Sequence, residues 1–257
     1  MSRRRLPLAL EVLTPVLVLV AWGVWSANAH SFYFPPLTTI LQTFKDTWLF
    51  ANVGSDVVPS LLRMFAGYLI AVVVAVSLGV PLGLSQLARR AASPIIEFLR
   101  AIPPPALVPA GIIVLGIGDS MKVFIIAVVC LFPVLLNTID GVRGVDPTFI
   151  ETSRVYGVRG FARLRTVVLP AALPQIFVGM RTSLSLALIL MVISEMVAST
   201  NGIGYFVLRS QREFALPEMW AGILLLGLLG YLLNLIFLTV ENRVLRWHRG
   251  AHAVPGA

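Results

Sequence analysis

The residues of this chain that could do chemistry lie in two settings. The first is a polar segment, 141–174, between two apolar runs, where helix-punctuating residues are spaced to build a short rod. Asp146 can cap a helix that Pro147 opens and Gly157 closes, which predicts a helix over 147–156. On that rod Phe149, Ser153 and Tyr156 share one face, and Glu151 and Arg154, three apart, are spaced to pair on another. After Gly160 a second short helix, FARLRTVV, is expected to run to Leu169-Pro170, where the proline ends it. The chemistry such a rod offers is docking, on another protein or, as an amphipathic anchor, on a membrane surface.

The second setting is polar residues inside apolar runs, which are costly in lipid and therefore functional candidates. Arg181 and Glu195 share one run 14 residues apart, about 21 Å along a helix, so they cannot pair within it. Arg181 either snorkels to the nearer surface or lines a path. Glu195, with Gly202 and Gly204 of the following NGIGYF turn, suits a gate, an interfacial role or a substrate contact. Asn137, Thr138 and Asp140 end another run, where they either touch a water-filled vestibule or hydrogen-bond between helices. Bond-making chemistry has no signature here. The sequence carries no GxxxxGK[ST], HExxH or GxSxG motif, and its single cysteine, Cys130, leaves no internal disulfide. His30, His248 and His252 lie at segment ends or in the tail, so no metal site is expected.

The elements that position these residues follow from composition. Of 257 residues 58% are hydrophobic and 12% charged, whereas soluble domains carry about 25% charged residues. That excludes an ordinary water-soluble globule and makes lipid the solvent for most of the chain. Six apolar runs emerge, at 12–29, 64–88, 101–118, 123–139, 166–194 and 219–240. None alternates with period two as a barrel strand would. The third and fourth runs are separated by GDSMK and suit a tight helical hairpin; the fifth is expected to start after Pro174. With the N-terminus inside, 14 Lys and Arg residues face the cytoplasm and five (Lys45, Arg63, Lys122, Arg209 and Arg212) face outward, which predicts both termini cytoplasmic. The net charge of +8 is then the charge of cytoplasmic loops, and no basic helix or aromatic-spaced patch points to nucleic acid. Arg3 to Arg5, an apolar stretch and Ala27-Asn28-Ala29 also fit a cleavable signal peptide, although Glu11 and Pro15 interrupt the apolar region.

Small residues mark where helices approach closely. Gly79 and Gly83 form a GxxxG, and Gly67 pairs with Ala71, a spacing read as packing within the chain ahead of a dimer seam. Pro103, Pro104, Pro105 and Pro109 crowd the third run, whose freed carbonyls need protein or water beside them. Between the first two runs, Leu37, Ile40, Leu41 and Phe44 fall at helical spacing, which predicts a short amphipathic helix on the outer surface.

The string ETSRVYGVRGFARLRTVVLP resembles the EAA loop of binding-protein-dependent ABC importer permeases. In that loop Glu-Ala-Ala is followed by three residues, Gly, nine residues, Ile, one residue and Leu-Pro. Glu151 and Gly157 hold the first spacing, and residues 158–166 separate Gly157 from Val167 and Leu169-Pro170; Thr152, Ser153 and Val167 depart from the pattern but keep size. Segments 59–84, 98–124, 132–146 and 169–207 narrow the resemblance toward the nitrate, sulfonate and taurine type. The resemblance implies an all-α integral membrane protein with the six-helix type I importer permease fold. Its divisions would be an N-terminal span and extracytoplasmic segment over 1–63, a permease core over 64–245 with a coupling loop at 141–170, and a cytoplasmic tail over 246–257. It also implies a non-enzymatic transport subunit of a bacterial inner membrane, normally a homodimer, that imports a small anionic solute. ATPase subunits, which use ATP and Mg, and an extracytoplasmic substrate-binding protein would be its partners, with no cofactor on this chain. Phe149, Glu151, Ser153, Tyr156, Gly157, Leu169 and Pro170 would form the ATPase-coupling site. Asn137, Thr138, Arg181, Glu195, Gly202 and Gly204 would belong to the path or its gate.

Two other classes compete. An autonomous channel or secondary transporter favours intramembrane Asp, Glu or His relays and inverted repeats, and a membrane-embedded enzyme needs a convergent nucleophile, base or metal group. Neither pattern is evident in the sequence.

Overall fold

The computed structural model describes residues 5–28 and 31–247, which are helical with no strand among them. Arg3, Arg4, Ala29, His30, His248, Arg249 and His252 lie outside the described residues. Helix α1 (Arg5–Asn28) and the short α2 (Leu37–Asp46) precede a bundle of α3 (Val58–Leu84), α6 (Asp119–Arg143), α9 (Leu169–Val197) and α11 (Leu216–Val244). These four are the helices long and apolar enough to cross a membrane among the described residues, or five if a bent pair counts as one. That count differs from the six straight spans expected.

The bent pair is the main departure. The run at 101–118 is not one span: amphipathic α4 (Gln86–Arg100) and the helix formed by Pro104–Ala106 and α5 (Leu107–Leu115) meet at 80°. Pro103, Pro104 and Pro105 supply no amide donors at the bend, so a continuous ladder cannot cross it. With nine residues, α5 is about 13 Å long, short of the ~30 Å hydrocarbon core. Gly116, at φ +74°, then turns the chain into α6.

The fifth run also differs. α8 (Gly160–Arg163) passes through a π-helical turn, Leu164–Val168, directly into α9. Pro170 therefore opens α9, where its missing amide costs nothing, instead of ending the loop helix, and Pro174 lies inside α9.

The centre of the bundle is built on close backbone approach. A Cβ at Gly79 would sit 2.7 Å from the Thr138 side chain, and one at Gly83 2.6 Å from Val142; Gly67 meets Ile126 in the same way. The small-residue spacing thus serves α3–α6 packing inside one chain. α9 joins this pair through hydrogen bonds: Tyr68 Oη donates to Met180 O at 3.0 Å, Ser183 Oγ donates to Cys130 O at 2.7 Å, and Cys130 Sγ donates to Ser183 O at 3.3 Å. In lipid, such bonds and dispersion replace the hydrophobic drive. Helix α2 rests on α11, with Ile40 buried and Leu41 exposed. Aromatic rings at the same end, Trp22 on Trp220 and Trp25 on Phe34, join α1 to α11, and Trp220 Nε1 donates to Tyr33 O.

Replacing Gly79 by Leu should destabilise the bundle by about 1–3 kcal/mol through overpacking. Gly227→Ala, where a Cβ meets nothing within 4 Å, should be near neutral. Thermal unfolding in detergent checks both, and equal melting temperatures for wild type and G79L would contradict the seam.

Candidate functional site

Two polar constructions stand at opposite ends of the bundle. At the loop end, α7 (Pro147–Val155) links α6 to the α8–α9 helix. Asp146 Oδ1 accepts the Thr148 N–H at 2.8 Å. That backbone bond favours the ionised carboxylate and holds its pKa below the usual value. The cap thus contributes at pH above the ordinary carboxylate range and is lost as pH falls through the lowered pKa. At the other end of α7, Val158 N donates to Ser153 O at 2.8 Å and Gly157 N to Arg154 O at 3.0 Å. These are the two bonds of a Schellman motif, which requires the φ of +73° that Gly157 adopts.

The predicted face of α7 is real but uneven. Phe149 is 57% and Tyr156 81% exposed, while Ser153 is buried and donates to Ile150 O at 2.7 Å. Phe149, Ser153 and Tyr156 line a cavity of about 750 Å³ with Pro170 and Trp247. Glu151 and Arg154 face a separate groove beside Arg89 and Arg163 and make no ion pair with each other among the described residues. The expected pair is absent among the described residues. Ile150 and Leu169 pack on the cluster of Val142, Val168 and Ile176, which fixes α7 to α6 and α9.

At the far end, Glu195 is 0% exposed and is the hub of a network. Ser60 Oγ donates to both carboxylate oxygens at 2.7 and 2.9 Å, Arg63 Nη1 donates at 2.9 Å, and Gly204 N donates at 3.0 Å. Arg63 also donates from Nη2 to Asn201 Oδ1 at 2.7 Å, and its Nε lies 2.7 Å from Asp119 Oδ1, which Lys122 also approaches, at 3.4 Å. Asp56 Oδ1 accepts the Gly202 N–H at 2.7 Å. Gly202, at φ +115°, lies where a side chain would strike the Glu195 carboxylate. The network ties α3, α6 and α9 to α10 (Ile203–Arg212).

The structure therefore brings Glu195, Gly202 and Gly204 together, as expected, and adds Ser60, Arg63, Asp119, Lys122 and Asn201, which sequence reasoning passed over. Arg63 and Lys122, counted as outward loop charges, are 6% and 3% exposed. The overlooked signal was Ser60 and Arg63 three apart, which puts both on one helix face at the edge of an apolar run. Thr138 is a correction: it is fully buried, donates to Val134 O at 2.7 Å and packs on Gly79, so it touches no vestibule. Asn137 donates to Pro133 O and accepts from Gln175 Nε2, each at 2.8 Å. Asp140 stays exposed beside Arg143. Arg181 is exposed on α9 and donates from Nε to Asn234 Oδ1 of α11 at 3.3 Å.

A family model described as the binding-protein-dependent transport system inner membrane component matches residues 67–247. The chain belongs to this family. It is 30% identical over 252 residues to the putative aliphatic sulfonates transport permease protein SsuC of Bacillus subtilis (strain 168), covering 96% of this chain and 90% of that one. The taurine transport system permease protein TauC of Escherichia coli (strain K12) is 30% identical over 243 residues, 91% of this chain and 87% of TauC. The nitrate import permease protein NrtB of Leptolyngbya laminosa is 26% identical over 245 residues, 90% and 86% of the two chains. A structure of the MetNI methionine ABC transporter in an inward-facing conformation shares the fold, with a TM-score of 0.66 at 21% identity over 74% of this chain and 94% of that one. This protein is thus a permease of a binding-protein-dependent ABC importer, of the nitrate, sulfonate and taurine type.

In this permease, removing one partner of a buried ion pair leaves the other charge unpaired, at about 3–5 kcal/mol. Glu195→Met and Arg63→Met should each destabilise strongly, and the double variant should be markedly less destabilised than the sum of the two. A thermal double-mutant cycle checks this; strict additivity would remove Glu195 from the centre of the network.

Proposed function

We propose that this chain is the membrane subunit of an ATP-driven importer of a small anionic solute of the sulfonate, taurine or nitrate class, working as a two-fold pair with the path between the copies. A P-loop ATPase on the cytoplasmic side supplies ATP and Mg chemistry, docking on α7, and an extracytoplasmic protein delivers the solute. The observation that carries this reading is α7 itself: a helix capped by Asp146, closed by a Schellman turn at Gly157, and clamped between α6 and α9 while Phe149 and Tyr156 stay exposed. The substrate class rests on what the relatives' names say they carry.

A helix held at both ends moves as a body, so displacement by an ATPase passes to α6 and α9 without stretching. Glu151 and Ser153 shape the rod, Phe149 and Tyr156 contact the ATPase, and Leu169 and Pro170 deliver the movement to α9. Six spans, with α1 as the first and the bent pair as the third, put α7 and both termini in the cytoplasm of a bacterium. The concentration of exposed Arg at the α7 end supports that orientation. A channel or secondary carrier would not need such a rod.

The test is to purify the tagged chain gently from its native membranes, identify what accompanies it, and measure ATP hydrolysis and uptake. A stoichiometric P-loop ATPase is expected. Gly157→Val forces a β-branched residue to positive φ in open space, at about 1–2 kcal/mol, and should abolish uptake while the bundle remains inserted. Recovery of the chain alone in several mild detergents, with nucleotide-independent transport, would sink the proposal.

A further inference from the structure

Exposed polar side chains on a membrane-spanning helix need water or protein beside them. On α9 the exposed positions Gln175, Val178, Thr182, Ser185 and Ile189 recur every three or four residues, a stripe in which three of five are polar. Arg181 adjoins this stripe about 18 Å from the α7 end of α9 and about 24 Å from the other end. Its guanidinium does not reach for either surface. Nε is tied sideways to Asn234 of α11, and neither terminal nitrogen has a partner among the described residues. Among the described residues no carboxylate pairs with it.

A second guanidinium, unpaired among the described residues, flanks the same stripe on its other side. Arg100 ends α4 at the proline bend and lines a cavity of about 350 Å³ with Phe132, Pro133 and Leu136 of α6 and Leu186 of α9, the neighbour of Ser185. Pro133 lies about 15 Å from the α7 end of α6, close to the depth of Arg181. Arg100, expected in a cytoplasmic loop, thus stands beside the middle of the spans, at the last residue of α4 before the 80° bend.

We propose that Arg100 and Arg181 form a cationic station for a small oxyanion, of the sulfonate or nitrate kind, on the path along α9; this rests on the importer reading above. Two planar guanidinium groups and the Ser185 hydroxyl match the flat or tetrahedral oxygen array of such an anion, while the Thr182 hydroxyl donates to Val178 O at 3.1 Å. The other walls of the Arg100 cavity are apolar and accept a short alkyl tail. Both guanidinium groups are exposed, which holds such an anion weakly, so one that enters can also leave.

The test uses the native host, where every partner is present. The host carries wild type, Arg181→Gln, Arg181→Lys, Arg100→Gln, Arg100→Gln/Arg181→Gln or no permease, and uptake of labelled taurine, an alkanesulfonate and nitrate is followed. At least one probe should depend on the permease. For it R181Q and R100Q should each lower uptake about tenfold, the loss of one charge-assisted hydrogen bond, with R181K retaining more than R181Q. Arg212→Gln removes an exposed charge elsewhere and should transport as wild type. Co-purification of the ATPase with each variant reports assembly, and because Arg100 and Arg181 sit on different helices, one can be read if the other fails to assemble. Wild-type uptake by an assembled double variant overturns the station, as does permease-independent uptake of all three probes. Absence of an ATPase from the wild-type complex strikes the importer reading instead.

Discussion

Glu195 has no water to solvate its charge, so its position is set by what neutralises it. Ser60 and Arg63 come from α3 and the Gly204 amide from α10; Asp119, at the start of α6, lies against both Arg63 and Lys122, so two carboxylates balance two cations. Moving any one of these helices along its axis would pull a donor from a buried carboxylate, at a cost of several kcal/mol. The far end of the bundle is therefore fixed in register, and the glycine contacts of α3 on α6 carry that register along the spans. A bundle locked at one end can hinge only at the other.

That asymmetry accounts for the construction of the loop end. Among the described residues no buried charge network joins α7 to its surroundings; it is held by apolar contacts through Ile150 and by its connections to α6 and α9. Apolar contacts slide at less cost than buried ion pairs break, so under the proposed coupling role force on α7 would turn the ends of α6 and α9 before it disturbed Glu195. Nine residues are too few for a stable isolated helix. The Asp146 cap and the Gly157 turn compensate by satisfying the backbone at both ends, and the rod stays rigid while its aromatic face remains available.

Much of this was legible from residue order. Apolar runs located α3, α6, α9 and α11 to within a turn or two, the glycine spacing marked their seam, and the cap residues placed α7 almost to the residue. What failed shares one cause. Segmenting by charge treats every Arg and Lys as a boundary, so Arg63 and Lys122 were assigned to water although Glu195 of α9 draws Arg63 inward and Asp119, one turn away on α6, pairs with Lys122. Proline failed similarly: Pro170 reads as a stop and Pro174 as the residue before the span, yet Pro170 stands in the first turn of α9 and the helix runs on through Pro174. Thr138 misled because a hydroxyl that bonds its own helix at Val134 is satisfied without water.

The stripe on α9 is the feature that a single copy leaves unexplained in lipid. Thr182 Oγ1 donates to Val178 O and Gln175 Nε2 to Asn137 Oδ1, yet Arg181 would face hydrocarbon with most of its donors unused. In the two-fold pair proposed above, a second copy would offer the same polar stripe to the first and enclose water between them, as self-complementary surfaces do. Polar residues then need no partner on the facing chain. They need a solvated gap, which passing solute can enter when the loop ends swing apart. The lock at Glu195 and the stripe at Thr182 and Ser185 are consequently two halves of one requirement: the seal must be dry where it is buried, and the path must be wet where it is not.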